Sequence, residues 1–384
     1  MSKHASRPSY LAPEFERAVF LASHFGFLPV EAPRVNDADL HMTEDCRGYI
    51  DEDAPTQKSH DAAEKAAFLR TYLEKEWDHS PLPFACAYKK HEAKKIPEYA
   101  LHILGLPTAA AEALLLRASL SILEDLGHKH LVVEINSMGD KDSVSSYERE
   151  LQQFIKKHPD SVPPEEKKRL KSDIFNILSL DLAPESLEHL PLSIASLSSP
   201  SRAHFKDTLE YLEALEVEFR LAHTLFGNPR YASHNVFSIR DTDDQSVVAR
   251  GGRYSRLSKR MGFKKELPAA AMTIVGRAED ASRLYKDLPK PKFHLIQLGP
   301  SARLKCVPLI EVLRREKIPV YHALGRDKIT AQMSSAESLD VPYLLIIGQK
   351  EAIDNTVTIR NSSTRAQETV SLSLLPSYLK ALPF

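Results

Sequence analysis

Cysteine is scarce in this chain. Cys46, Cys86 and Cys306 are the only three in 384 residues, odd in number and far apart. That spacing excludes a disulfide framework and a thiolate metal site, and it reads as reduced thiols in a cytosolic protein. A surplus of charge of one sign is also missing. Fifty-one basic and 52 acidic residues leave a formal net charge of −1. No global field therefore draws the chain to DNA, RNA or membrane, and any RNA contact must use a local basic patch. No apolar run reaches the roughly 18 residues that span a bilayer, and the N-terminus lacks a signal-peptide core. The expected location is cytoplasmic, with no membrane and no DNA partner. The sixteen histidines form no His/Cys cluster with ligand spacing. His128 and His130 flank a strand and read as surface or packing residues, so no metal is expected.

What is present is an ordinary globular composition, 42% hydrophobic and 27% charged, on a chain long enough for two or three domains. Apolar spacing predicts a helix over 13–25 closed by Gly26, then a strand interrupted by Pro29 and Pro33, an edge or interface strand. The acidic stretch 37–59 reads as a solvated loop. Helices are predicted over 61–77 and 110–126, with two strands between them joined by the charged segment 89–95. A buried strand, HLVVEINSMGD, follows. Further helices are predicted over 147–157, from about 162 and over 204–215. VEFRLAHTLFG and HNVFSIRD read as paired strands leading to a glycine turn. The run Lys167, Lys168, Arg169, Lys171 reads as a solvated helix face or an RNA contact. LPKPK, 288–292, is a linker. Beyond it strands alternate with helices over 293–384, which implies a mixed sheet covered by helices.

The stretch 247–277, VVARGGRYSRLSKRMGFKKELPAAAMTIVGR, organises the rest. Gly251 and Gly252 lack Cβ atoms and permit a close backbone approach, and Arg253 follows them. The pair reads as a tight strand-to-helix corner or as the wall of a site. No Gly-Lys-Ser/Thr follows, so this is not a P-loop. With 131–140 and 293–360, this stretch resembles the histidyl-tRNA synthetase family of class II aminoacyl-tRNA synthetases. The resemblance implies an α/β (α+β) fold. A class II synthetase-like antiparallel sheet core with helices would occupy 1–287, with a small helical insertion at about 145–205. A mixed α/β anticodon-binding-type domain would occupy 293–384. It also implies a homodimer.

The same resemblance assigns the site residue by residue. Lys90 stands where the family places the Arg that contacts the α-phosphate, with Glu92 as its neighbouring carboxylate. Arg277 stands near the place of the second phosphate-binding Arg. Glu98 and His102 occupy the histidine-recognition positions, and Tyr231 replaces the first aromatic residue of the imidazole wall. Gly227 takes the place of a catalytic Arg, and 61–66, DAAEKA, stands where the family has an Arg-Pro-Glu-Gly-Thr run. A planar Arg fork suits a phosphate in a transition state better than a Lys point charge. The expectation is a pseudo-synthetase with little or no histidine activation, with ATP and Mg²⁺ as cofactors only if the site still works. Arg326, Lys328, Gln332 and Glu337 match the anticodon side of the C-terminal domain, which makes tRNA or a tRNA-like RNA the expected partner. An active histidine–tRNA ligase with a rearranged site and a regulatory subunit of histidine biosynthesis are the alternatives.

Overall fold

A computed structural model describes residues 11–46, 61–79, 82–91, 96–277, 284–288, 290–323, 325–326 and 328–382. Its larger sheet has eight strands. They run in the order Leu28–Pro29, Phe84–Lys89, Glu98–Leu104, Ala269–Val275, Val247–Arg253, Ser233–Asp241, Leu131–Gly139 and Phe219–Leu221. The six central strands pair antiparallel and the two short edge strands pair parallel. The helix Ala110–Asp125 lies across one face. Its Ala/Leu-rich sequence packs with Leu101, Ile103, Ile135, Phe237 and Met272 in the principal core. The helix Asp61–Glu74 covers part of the opposite face through Phe68, Leu69 and Tyr72.

The C-terminal sheet has five strands in the order Val320–His322, Phe293–Gln297, Tyr343–Ile347, Thr356–Asn361 and Gln367–Ser371. The first three are parallel and the last two antiparallel, so both parts of the chain are mixed α/β. Its helix Pro300–Arg315 packs on Ala110–Asp125 and on Ser199–Ala214. The seam is polar as well as apolar. Buried Arg117 donates to Ser121 and Glu124, Ser121 donates to Glu311, and Arg314 and Arg315 grip the same Glu311. Burial works against the charge of Glu311, but Arg314 and Arg117 outweigh it and hold its carboxyl below the usual range.

Several elements differ from the sequence pattern. The stretch 37–59 is not all loop: Asp37–Met42 is a helix with a capping box between Asn36 and Asp39. Buried Asp39 is held by Arg70 at 2.9 Å, and 47–60 lies outside the described residues. The first helix is shorter than its apolar spacing suggests, Arg17–Ser23, and a two-residue strand precedes it. Phe219–Leu221 does not pair with Ser233–Asp241 but lies parallel to Leu131–Gly139. Short three-residue pairing leaves no periodicity by which sequence could choose the neighbour. The helix expected from about 162 is only Lys167–Ser172, followed by a 3₁₀ turn over Ile174–Ser179.

Gly251 and Gly252 lie inside the strand Val247–Arg253, and the corner comes after Arg253. A Cβ on Gly251 would sit 2.4 Å from the Ala271 carbonyl oxygen and 2.5 Å from Phe237. Gly251→Ala therefore forces adjacent backbones apart and should destabilise by about 1–3 kcal/mol. Urea unfolding of the variant measures this, and an unchanged midpoint would contradict the packing argument.

Candidate functional site

Side chains alternate across a strand, and the large sheet uses this to separate two polar centres. On the face under helix Ala110–Asp125, Arg253 is fully engaged. It donates Nε and Nη2 to the two Glu112 oxygens at 2.7 Å each, Nη1 to the Leu106 carbonyl at 3.0 Å and Nη2 to the Thr108 carbonyl at 2.7 Å. Glu112 also hydrogen-bonds His204 at 2.6 Å and accepts from Asn235 at 3.3 Å. Burial opposes ionisation of Glu112, but Arg253 and His204 outweigh it and push its pKa far down. Arg253 is thus a tie between sheet and helix, and its guanidinium points away from the face that carries His102.

That opposite face holds an aromatic box. The His102 imidazole stacks on Phe68 with ring centroids 3.9 Å apart, and it meets the Tyr254 ring edge-on at 5.7 Å. The Tyr88 hydroxyl lies 3.0 Å from Nε2, and the Tyr254 hydroxyl 2.8 Å from Nδ1. A neutral imidazole donates at one nitrogen and accepts at the other, so two tyrosines satisfy it completely. Burial, with Lys65 and Lys90 nearby, pushes the His102 pKa well down and keeps the ring neutral. The chain therefore fills this box with its own side chain.

Beside the box the charges also answer one another. Lys90 pairs with Glu64 and, at 2.9 Å, with Glu98. Burial disfavours its ammonium, but the two carboxylates outweigh that and raise its pKa. Lys65 pairs with Asp61 and lies 5.7 and 5.8 Å from the ring centroids of Tyr231 and Tyr254. Tyr231 donates its hydroxyl to Asp61 at 2.6 Å. Desolvation opposes the Asp61 charge, yet Lys65 and Tyr231 hold its carboxyl below the usual range. Among the described residues, Asp61, Glu64 and Glu98 thus pair with the two ammonium groups of Lys65 and Lys90. A cleft of about 1010 Å³ opens next to Lys90, where Glu14, Glu31 and Glu74 mix with Arg34 and Lys75.

The structure brings Lys90, Glu98, His102 and Tyr231 around one centre. Arg277 is not among them. It is exposed, with Nη1 beside Gly127 at the C-terminal end of helix Ala110–Asp125. Glu92 lies outside the described residues. Gly251 and Gly252 serve strand packing. Gly227 is close-packed too, since a Cβ there would come within 2.8 Å of Ala232. Glu64 and Lys65 belong to the 61–66 run, whereas Phe68, Tyr88 and Tyr254 carry no signal of their own in the motif pattern. Tyr88 and His102 were findable, because they fall on the same face of two strands in antiparallel register.

On the C-terminal helix Ile329–Ser338, Gln332 is buried. It accepts from the Gln297 amide at 3.0 Å and donates to the Gln297 and Arg326 carbonyls at 2.8 Å each. It fixes the loop rather than facing solvent. Lys328 and Glu337 are exposed and Arg326 is half-buried. A Cβ on Gly325 would strike Pro83 at 2.4 Å, so this loop presses against the large domain. Among the described residues no cluster of three or more His, Cys, Asp or Glu side chains fit to hold a metal ion occurs, and no helix is long and apolar enough to cross a membrane.

Residues 292–382 match the family model of the anticodon binding domain. The chain is 28% identical over 308 residues to the histidine–tRNA ligase of Acholeplasma laidlawii, covering 77% of this chain and 72% of the relative. It is 26% identical over 276 residues to the histidine–tRNA ligase of Thermosynechococcus vestitus, covering 70% of this chain. There the match spans 64% of the relative's length. The fold is similar to that of apo Staphylococcus aureus histidyl-tRNA synthetase, with a TM-score of 0.51 at 20% identity, over 94% of this chain and 93% of the other.

Proposed function

We propose that this chain, which is similar to histidine–tRNA ligases and matches the anticodon binding domain over 292–382, has given up amino-acid activation and acts as a tRNA-binding or regulatory protein, assembled as a homodimer. The observation that carries this reading is the self-satisfied box. The His102 imidazole occupies the space between Phe68, Tyr88 and Tyr254, and both nearby ammonium groups are taken by carboxylates. Forming an acyl-adenylate requires preorganised positive charge where negative charge develops on phosphate. A centre whose ammonium groups, Lys65 and Lys90, are already paired with carboxylates opposes that, and removing even one such contact typically costs about 10²–10³ in rate.

ATP–pyrophosphate exchange, run with histidine and then with each other amino acid, tests the reading. The expected result is no exchange above the enzyme-free blank. Robust exchange that depends on one amino acid would overturn it and restore a ligase with a rearranged site. Filter binding of labelled tRNA at two salt concentrations then separates an RNA binder, whose affinity falls steeply with salt, from a protein whose partner is another protein.

A further inference from the structure

The span 255–265, SRLSKRMGFKK, carries Arg256, Lys259, Arg260, Lys264 and Lys265 and no carboxylate before Glu266. On the helix Ser255–Arg260, Leu257 and Ser258 are buried, while the three cations at positions 256, 259 and 260 share the other side. Two of the arginines are held in place rather than waving in solvent. Arg256 donates Nη1 to the Pro229 carbonyl at 2.7 Å. Arg260 donates Nη2 to the Met42 carbonyl at 2.7 Å and to Asp45 at 2.6 Å. Arg230 shares that same Asp45 at 3.3 Å, so one carboxylate answers two guanidinium groups. The Arg256 Nη2 is buried without a hydrogen-bond partner among the described residues. Burial disfavours its charge, offset in part by Glu266 and Asp140. Lys259, Lys264 and Lys265 are exposed.

We propose that this surface, the helix Ser255–Arg260 with its following turn and Arg230, binds the phosphate backbone of RNA. The inference rests on the tRNA-binding reading above and moves the electrostatic contact from the C-terminal sheet to the large domain. The exposed ammonium groups of Lys259, Lys264 and Lys265 are the charges that reach phosphate oxygens, and the fixed arginines behind them add to the positive field. The contrast within the molecule favours this face. The helix Ile329–Ser338 carries one charged residue, Glu337, and Gln332 is turned inward. On a chain of net charge −1, a local surplus of positive charge is what steers a polyanion.

The test uses the full chain, a labelled tRNA transcript and a labelled RNA duplex without loops, titrated by fluorescence anisotropy from 50 to 200 mM salt. The variant is Lys259→Ala/Lys264→Ala/Lys265→Ala, all exposed and outside the aromatic box. The expected result is binding of both probes by the unmodified chain. The triple variant should bind about tenfold or more weakly, with a log–log salt slope shallower by roughly 2–3. The matching triple Lys→Arg variant should retain binding. Equal affinity and slope in the unmodified chain and the triple Ala variant overturn this inference but leave tRNA binding by another surface intact. No binding of either probe by the unmodified chain overturns both.

Discussion

Replacing Glu112 with alanine should lower the stability of this protein by about 3–5 kcal/mol, the usual cost of stranding a buried charge whose partner has been removed. Arg253 would lose both of its carboxylate contacts and His204 and Asn235 would lose a shared acceptor. The double replacement Glu112→Leu/Arg253→Met should cost less than the sum of the single changes, because it leaves no unpaired charge behind. Urea unfolding followed by circular dichroism measures both. A Glu112→Ala variant within about 0.5 kcal/mol of the parent would show that the pair is not what ties the helix to the sheet.

That ion pair also marks the limit of what could be read from the chain. The order of strands and helices was legible from apolar periodicity, and the alternating pattern beyond residue 293 announced the second sheet. In AAEALLLRASL, the first eleven residues of the helix, the isolated Glu112 and Arg117 are the only charges, which is itself a sign of buried pairing. What such a sign does not give is the partner, 141 residues away for Arg253 and 194 for Glu311. The candidate site was half legible for the same reason. Lys90, Glu98, His102 and Tyr231 come together, but the residues that neutralise or enclose them arrive from the helix Asp61–Glu74 and from Tyr254. Alternation along a strand says which side chains share a face, but not which element covers that face. Arg253 and His102 sit on neighbouring parts of one sheet and look in opposite directions.

The second large effect is acid sensitivity. His234, His294 and His322 are each pushed down to about 4 from an ordinary 6.5, chiefly by burial. Each has a ring nitrogen without a hydrogen-bond partner among the described residues. Between pH 6.5 and 4 the unfolded chain takes up protons that the folded one refuses. Stability is therefore fully present above 6.5 and is lost as pH falls towards 4, by roughly 3 kcal/mol per histidine. His322 matters most for the joint between the sheets, since its imidazole lies against Gly26 of the large domain. Urea midpoints should hold above pH 6.5 and fall steadily from there to 4.5, and His322→Leu should flatten that decline. A midpoint that holds constant down to pH 5 would contradict the burial argument.

The shared hold on Glu311 bears on how the molecule behaves in motion. Helix Pro300–Arg315 is fastened to helix Ala110–Asp125 by buried charge as well as by apolar packing, and Gly325 is pressed against Pro83. Buried ion pairs of this kind resist hinge motion, so the proposed RNA partner would meet two sheets held at a fixed spacing rather than a joint that closes around it.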